Sequence, residues 1–160
     1  MINKNTGNRD SRGLGFQGSS ERQEKDSVSR GSRDSSEMLK NYKELKAWQK
    51  SYQLSLKVYK ITAEFPIEEK YGLTSQIRRA VVSVPSNIAE GYGRKTTTDY
   101  IKYLYIAYGS LCELETQILL SRDLNLIESS IAKVIIDEIH GVERMLKALI
   151  KSLENKHLNP

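Results

Sequence analysis

Residues 74–94 read TSQIRRAVVSVPSNIAEGYGR, and the order of apolar and polar side chains in this stretch decides the fold. Ile77, Ala80, Val81, Val84 and Ile88 stand at i, i+3, i+4, i+7 and i+11, which sets them along one side of an α-helix and leaves no two-residue alternation for a strand. Thr74 is the expected N-cap of this helix, and Gly91 and Gly93 are expected to close it. Pro85 falls inside the apolar period. Having no N–H, it forfeits the bond to the Val81 carbonyl, so a kink is expected there. Gln76, Arg79, Ser83, Asn87, Glu90 and Arg94 follow one another at steps of three, four, four, three and four, which draws a polar stripe along the same helix.

Working outward, apolar residues keep helical spacing from about Asn41 to Glu64, with Leu45, Trp48, Tyr52, Leu56 and Tyr59 as the expected inner face and Pro66 as the stop. Downstream, Thr96 to Thr98 with Asp99 supply capping for a third helix, about Thr98 to Arg122. Its apolar positions are Ile101, Leu104, Tyr105, Tyr108, Leu111, Leu114, Ile118 and Leu119. Asn125 marks a turn. A fourth helix is expected from Ser129 or Ser130 to about Asn155, carrying Ile131, Ile135, Val142, Leu146, Leu149 and Leu153 on one side. Four helices with short connections predict an all-α, antiparallel, up-down-up-down four-helix bundle over residues 38–160. Residues 1–37 mix Gly, Ser, Arg, Asp and Glu without a period and are expected to form a disordered tail. Three readings of that tail stay open: a passive extension, a basic RNA-tethering arm, and a segment upstream of a natural start at Met38.

A chain of 160 residues with this tail has room for one modest core. Its 25 Lys and Arg against 20 Asp and Glu give a net charge of +5, a lean toward acidic partners such as RNA or DNA. Cys112 is the single cysteine, which excludes an intrachain disulfide and a cysteine-built zinc site; among Leu111 and Leu114 it is expected to be a small core residue. Apolar runs fall far short of the roughly 20 residues that cross a bilayer, and no apolar signal region opens the chain, so no membrane contact and a cytoplasmic location are expected.

Catalytic patterns are absent or incomplete. Residues 91–96, GYGRKT, lack the glycine spacing and the strand–helix context of a phosphate loop. Asp137 and His140 sit three apart, as in bundle metal sites, but such sites need a second pair and two further glutamates. His157 lies in the expected C-terminal tail. No catalytic residue, metal or cofactor is expected.

Several blocks carry a family likeness: residues 42–49 (YKELKAWQ), Phe65-Pro66, residues 69–74 (EKYGLT), 76–80 (QIRRA), 83–91 (SVPSNIAEG), Gly93-Arg94, 107–115 (AYGSLCELE) and 124–127 (LNLI). Over about Tyr42 to Ile127 the chain resembles the 23S rRNA-intervening-sequence protein family, also known simply as four helix bundle proteins. More distantly it is similar to the accessory variability determinant of diversity-generating retroelements. The resemblance implies an all-helical bundle, a homopentamer and an association with nucleic acid, without transferring the retroelement function.

Two sets of residues are singled out. Lys43, Lys46, Lys50 and Lys57 share one side of the first helix, and Arg78, Arg94, Lys95 and Lys102 are expected near the second turn, with Tyr100 and Tyr103 close by for stacking. Ring symmetry would multiply their weak phosphate contacts, although lysines on helix exteriors also serve solvation alone. The second set is the polar stripe, Gln76, Arg79, Ser83, Asn87 and Glu90, with a shorter stripe of Ser110, Glu113 and Gln117 on the third helix that could meet it across a helix pair or a subunit boundary, where Gly109 leaves room for another backbone. It fits solvated faces, pairing within the bundle or between subunits, or a ligand site. The expected function is a non-enzymatic homo-oligomer that binds RNA or ribonucleoprotein through basic surfaces. The alternative is a protein-interaction scaffold or accessory subunit without direct nucleic-acid contact.

Overall fold

The structure is a computed structural model and describes residues 40–158. The tail expected over residues 1–37 lies outside the described residues, as does Met38. Four helices follow in order, α1 (Lys46–Thr62), α2 (Leu73–Tyr92), α3 (Thr97–Asp123) and α4 (Ser129–Leu158), with 3₁₀ turns at Tyr42–Glu44 and Ile67–Lys70. No strand occurs among the described residues, and the fold is the all-α four-helix bundle that the sequence predicts. Thr62 meets Arg78 and Ser55 meets Val81; Ser83 meets Ser110 and Arg94 meets Tyr103; Glu115 meets His140 and Tyr105 meets Glu154. In each pair of neighbouring helices, later residues of one lie beside earlier residues of the next.

Local chemistry explains the helix ends. At α3 the Thr96 hydroxyl accepts from the Asp99 N–H at 3.1 Å and lies 2.7 Å from its carboxylate, the cap expected there. Asn125 takes the left-handed conformation (φ 58°). The Leu126 and Asn125 N–H groups then reach back to the Ser121 and Arg122 carbonyls at 2.8 and 2.9 Å, which terminates α3. At α1 the chain departs from expectation: Leu45 is extended (φ −66°, ψ 120°), so a 3₁₀ turn precedes α1 and the helix starts at Lys46 instead of Asn41. Thr74 is not the N-cap of α2. Gly72 holds that position, and the Glu69 carboxylate accepts from the Leu73 N–H at 3.0 Å.

The core runs through all four helices, with Leu54, Ile77, Ile88, Leu104, Leu111, Leu114, Ile139 and Leu146 at 0–1 % exposure. Each such side chain contributes about 1.5–3 kcal/mol on burial. The α2 stripe read from the sequence is the buried one. On α1 it is so only at its start, where Leu45 is buried and Trp48 partly buried against the core; otherwise Ala47, Ser51, Leu54, Ser55, Val58 and Thr62 face inward, while Tyr52, Leu56 and Tyr59 remain 43–45 % exposed. Cys112 is exposed and not a core residue, because it stands one position, or about 100° of helix turn, beyond the buried Leu111. Tyr105 and Ile131 are likewise on the surface.

Pro85 and Gly91 set how α2 meets its neighbours. Pro85 is buried within a helix that continues to Tyr92. The Val81 carbonyl that it leaves without a donor receives the Ser55 hydroxyl of α1 at 3.1 Å, the same hydroxyl lying 2.9 Å from the Ser51 carbonyl. Gly91 does not end the helix; its role is proximity. A Cβ there would stand 2.8 Å from Tyr103 Cβ and 2.9 Å from Tyr100 Cδ2, so α3 approaches as it does only because the side chain is missing.

Candidate functional site

Charge is distributed unevenly over the bundle. α1 carries Lys46, Lys50, Lys57 and Lys60 with no carboxylate, and α2 carries Arg78 and Arg79 against Glu90 alone. α3 and α4 together hold seven cations and eight carboxylates. Of the basic residues singled out in the sequence, Lys43, Lys46, Lys50, Lys95 and Lys102 are exposed. Lys57 is exposed as well but pairs with Glu138 of α4. Arg78 does not join Arg94, Lys95 and Lys102. It lies near the start of α2 beside Thr62, roughly 21 Å of helix away from the Tyr92 end that Arg94 follows.

Arg94 is engaged within its own neighbourhood. It bonds Glu90 one turn earlier and the Tyr103 hydroxyl, with its guanidinium 4.3 Å from the Tyr103 ring centroid. Hydrogen bonding to Glu90 is the main influence raising the Tyr103 hydroxyl pKa above its usual value, with Arg94 acting the other way. Tyr100, expected as a stacking surface, is half-buried, its ring packed edge-on against Tyr92 at 6.1 Å. Its hydroxyl has no hydrogen-bond partner among the described residues, and burial, followed by the proximity of Tyr92, pushes its pKa up to about 12.

The polar stripe divides into four groups. In the middle, the Ser83 and Ser110 hydroxyls meet across α2 and α3 at 2.9 Å, and Asn87 Nδ2 donates to the Ser83 carbonyl and hydroxyl at 2.8 and 2.9 Å. Arg79 donates to Gln76 on its own helix at 2.7 Å, and Gln117 donates to Glu113 at 3.0 Å. Arg94 pairs with Glu90, whereas no carboxylate pairs with Arg79 among the described residues. Gly109 has no atom within 4 Å of the position a Cβ would take, so among the described residues no backbone uses the space it leaves.

Two concavities open along α1 and α2. One, of about 420 Å³, is lined by Tyr42, Trp48, Tyr52, Leu56, Tyr59, Val82, Pro85 and Ala89 together with Ser55 and Ser86; Trp48 and Tyr52 stack within it at 5.2 Å. The other, of about 650 Å³, shares Tyr59 and Val82 and adds Lys70, Tyr71, Thr74, Ser75, Arg78, Arg79 and Ser83. The sequence signal for the second was the Lys70-Tyr71 pair, a cation and a large ring between two helices, which reads as an ordinary connection until Arg78 and Arg79 are brought beside it.

Asp137 pairs with Lys133 at 3.5 Å, and His140 meets Glu115 of α3 at 2.9 Å. Among the described residues no three His, Cys, Asp or Glu side chains are grouped to hold a metal ion, and no helix is long and apolar enough to cross a membrane.

With this geometry in view, the pattern of the 23S rRNA-intervening sequence proteins matches residues 43–148, more than half of the chain. The chain belongs to that family. Its fold is also similar to the solved structure of a protein of unknown function from the S23 ribosomal protein family of Bacteroides thetaiotaomicron. The TM-score is 0.60 at 22 % identity, over 66 % of this chain and 98 % of that one; at this identity the likeness speaks for the fold. No curated protein matches this intervening-sequence family member.

Proposed function

We propose that this member of the intervening-sequence family is a non-catalytic, cytoplasmic, self-associating bundle that binds RNA or ribonucleoprotein through the cation-rich face formed by α1 and α2. The observation that carries the proposal is the charge asymmetry: six cations against one carboxylate on α1 and α2, beside a balanced α3 and α4. Phosphate contacts made by such a face are individually weak, and repetition in a symmetric ring, the homopentamer implied by the family resemblance, makes them sufficient. Retention of the full chain on immobilised structured RNA is expected to fall steeply between about 50 and about 200 mM salt. Retention that is absent or indifferent to salt would contradict the proposal, and light scattering on the same sample reads the self-association.

A second reading, a scaffold for another protein, draws on the apolar concavity beside Pro85, where the large side chains of Trp48, Tyr52 and Leu56 stay partly exposed. A stoichiometric protein partner that survives nuclease treatment of a cellular pull-down favours it over RNA binding.

A further inference from the structure

The larger concavity of α1 and α2 differs from the rest of the basic surface in three respects. Its lining includes three cations, Lys70, Arg78 and Arg79, and no carboxylate; the nearby Glu69 is engaged with the Leu73 N–H at the start of α2. Two of the cations lie over aromatic rings. The Arg78 guanidinium is 4.8 Å from the Tyr59 centroid, and the Lys70 ammonium is 5.3 Å from that of Tyr71, a residue 86 % exposed. Arg78 is also fixed in place, because its Nε donates to Thr62 Oγ1 at 2.9 Å while that hydroxyl donates to the Val58 carbonyl at 2.9 Å.

The third respect is Thr74. It lines the concavity at 6 % exposure, and its hydroxyl has no hydrogen-bond partner among the described residues. A buried hydroxyl without a partner is a cost that native proteins seldom leave standing. Fixed cations, an exposed ring and an unsatisfied hydroxyl, gathered in a space within the range of small-ligand sites, about 300–1,000 Å³, match one ligand chemistry.

We propose that this concavity binds a nucleoside phosphate with an unpaired base. The phosphate sits among Lys70, Arg78 and Arg79, the base stacks on Tyr71, and the ligand supplies the partner that the Thr74 hydroxyl lacks. The base must be unpaired because the faces of bases inside a duplex are already stacked on one another. The site rests on and deepens the RNA-binding function: the outer lysines track a backbone, and this concavity holds one nucleotide of a single strand. A free nucleotide carries the same chemistry and is the other source of the ligand.

Fluorescence anisotropy with the full chain tests the assignment, using a labelled single-stranded RNA dodecamer, the duplex of the same sequence, and AMP as competitor. Tyr71→Ala and Arg79→Ala, both at exposed positions, are expected to weaken single-strand binding about tenfold, with the Arg79→Ala salt slope lower by about one. Duplex binding by Tyr71→Ala should stay within about twofold of wild type, as should single-strand binding by Lys133→Ala, an exposed position on α4 outside the cation-rich face. Thr74→Val is expected to weaken single-strand binding while raising Tm, an opposition that a purely structural threonine would not produce.

Wild-type single-strand binding that all three variants retain overturns the site and leaves the RNA-binding function standing. Binding of AMP that these variants abolish, without strand binding by wild type, upholds the site with a free nucleotide as its ligand and overturns the RNA function. Absence of both kinds of binding overturns both.

Discussion

The two sides of α2 are built on different principles. Toward α3 the helix is pressed close: Gly91 has no room for a Cβ beside Tyr100 and Tyr103, and Ser83 touches Ser110 hydroxyl to hydroxyl. Toward α1 the contact is made by reaching side chains, the Ser55 hydroxyl to the Val81 carbonyl and the Arg78 guanidinium to Thr62, and the outer edge stays open as two concavities. One seam achieves proximity by removing atoms, and the other bridges a gap by adding them. A bundle can therefore be held firmly along one edge of a helix while the other edge carries the concave, cationic surface available to a ligand.

The largest test of this contrast is Gly91→Ala. The new methyl group would meet the Tyr103 and Tyr100 side chains and the Tyr100 carbonyl at 3.3 Å or less, and overpacking of this kind costs about 1–3 kcal/mol. Urea denaturation is the measurement, and an unchanged midpoint would show that the α2–α3 seam is looser than described.

Ser55→Ala probes the other side. It leaves the Val81 carbonyl without the α1 donor and is expected to cost about 1 kcal/mol. Pro85→Ala restores the N–H that the carbonyl lacks within its own helix, so Ser55→Ala should cost less in that background. Additive losses in the double-mutant cycle would mean that Ser55 does not compensate for the proline.

The smallest effect concerns Tyr100, whose hydroxyl is shut into the tight seam. Below pH 10.0 the phenol is protonated in both folded and unfolded chains, so its contribution is complete. As pH rises from 10.0 to about 12 the unfolded chain ionises while the folded one resists, and stability falls through that window. Tyr100→Phe is expected to flatten the decline of Tm across this range; an identical decline would assign it to other groups.

The fold was legible where apolar size and helical period agree. On α2 the stripe from Ile77 to Ile88 contains nothing larger than isoleucine, and it is the buried stripe. α1 misleads because it has two stripes. The bulky one, Trp48, Tyr52 and Tyr59, dominates the pattern, yet close helix packing favours the small one, where Ser51, Ser55 and Thr62 satisfy their hydroxyls on carbonyls three or four residues back. Hydroxyls provided for in this way enter a core at little cost, and no period in the sequence announces it. The basic face of α1 was legible from composition. The concavity around Lys70, Tyr71 and Thr74 was not, because its parts come from the end of one helix, a 3₁₀ turn and the start of another.

Cys112, taken from the sequence for a core residue, stands on the surface of α3 and is the one thiol in the chain. Each copy of the protein therefore presents a single attachment point for a maleimide dye, on an element outside both concavities. Counting photobleaching steps in immobilised assemblies would then number the subunits directly, one step per chain, with the α1–α2 surface left unmodified.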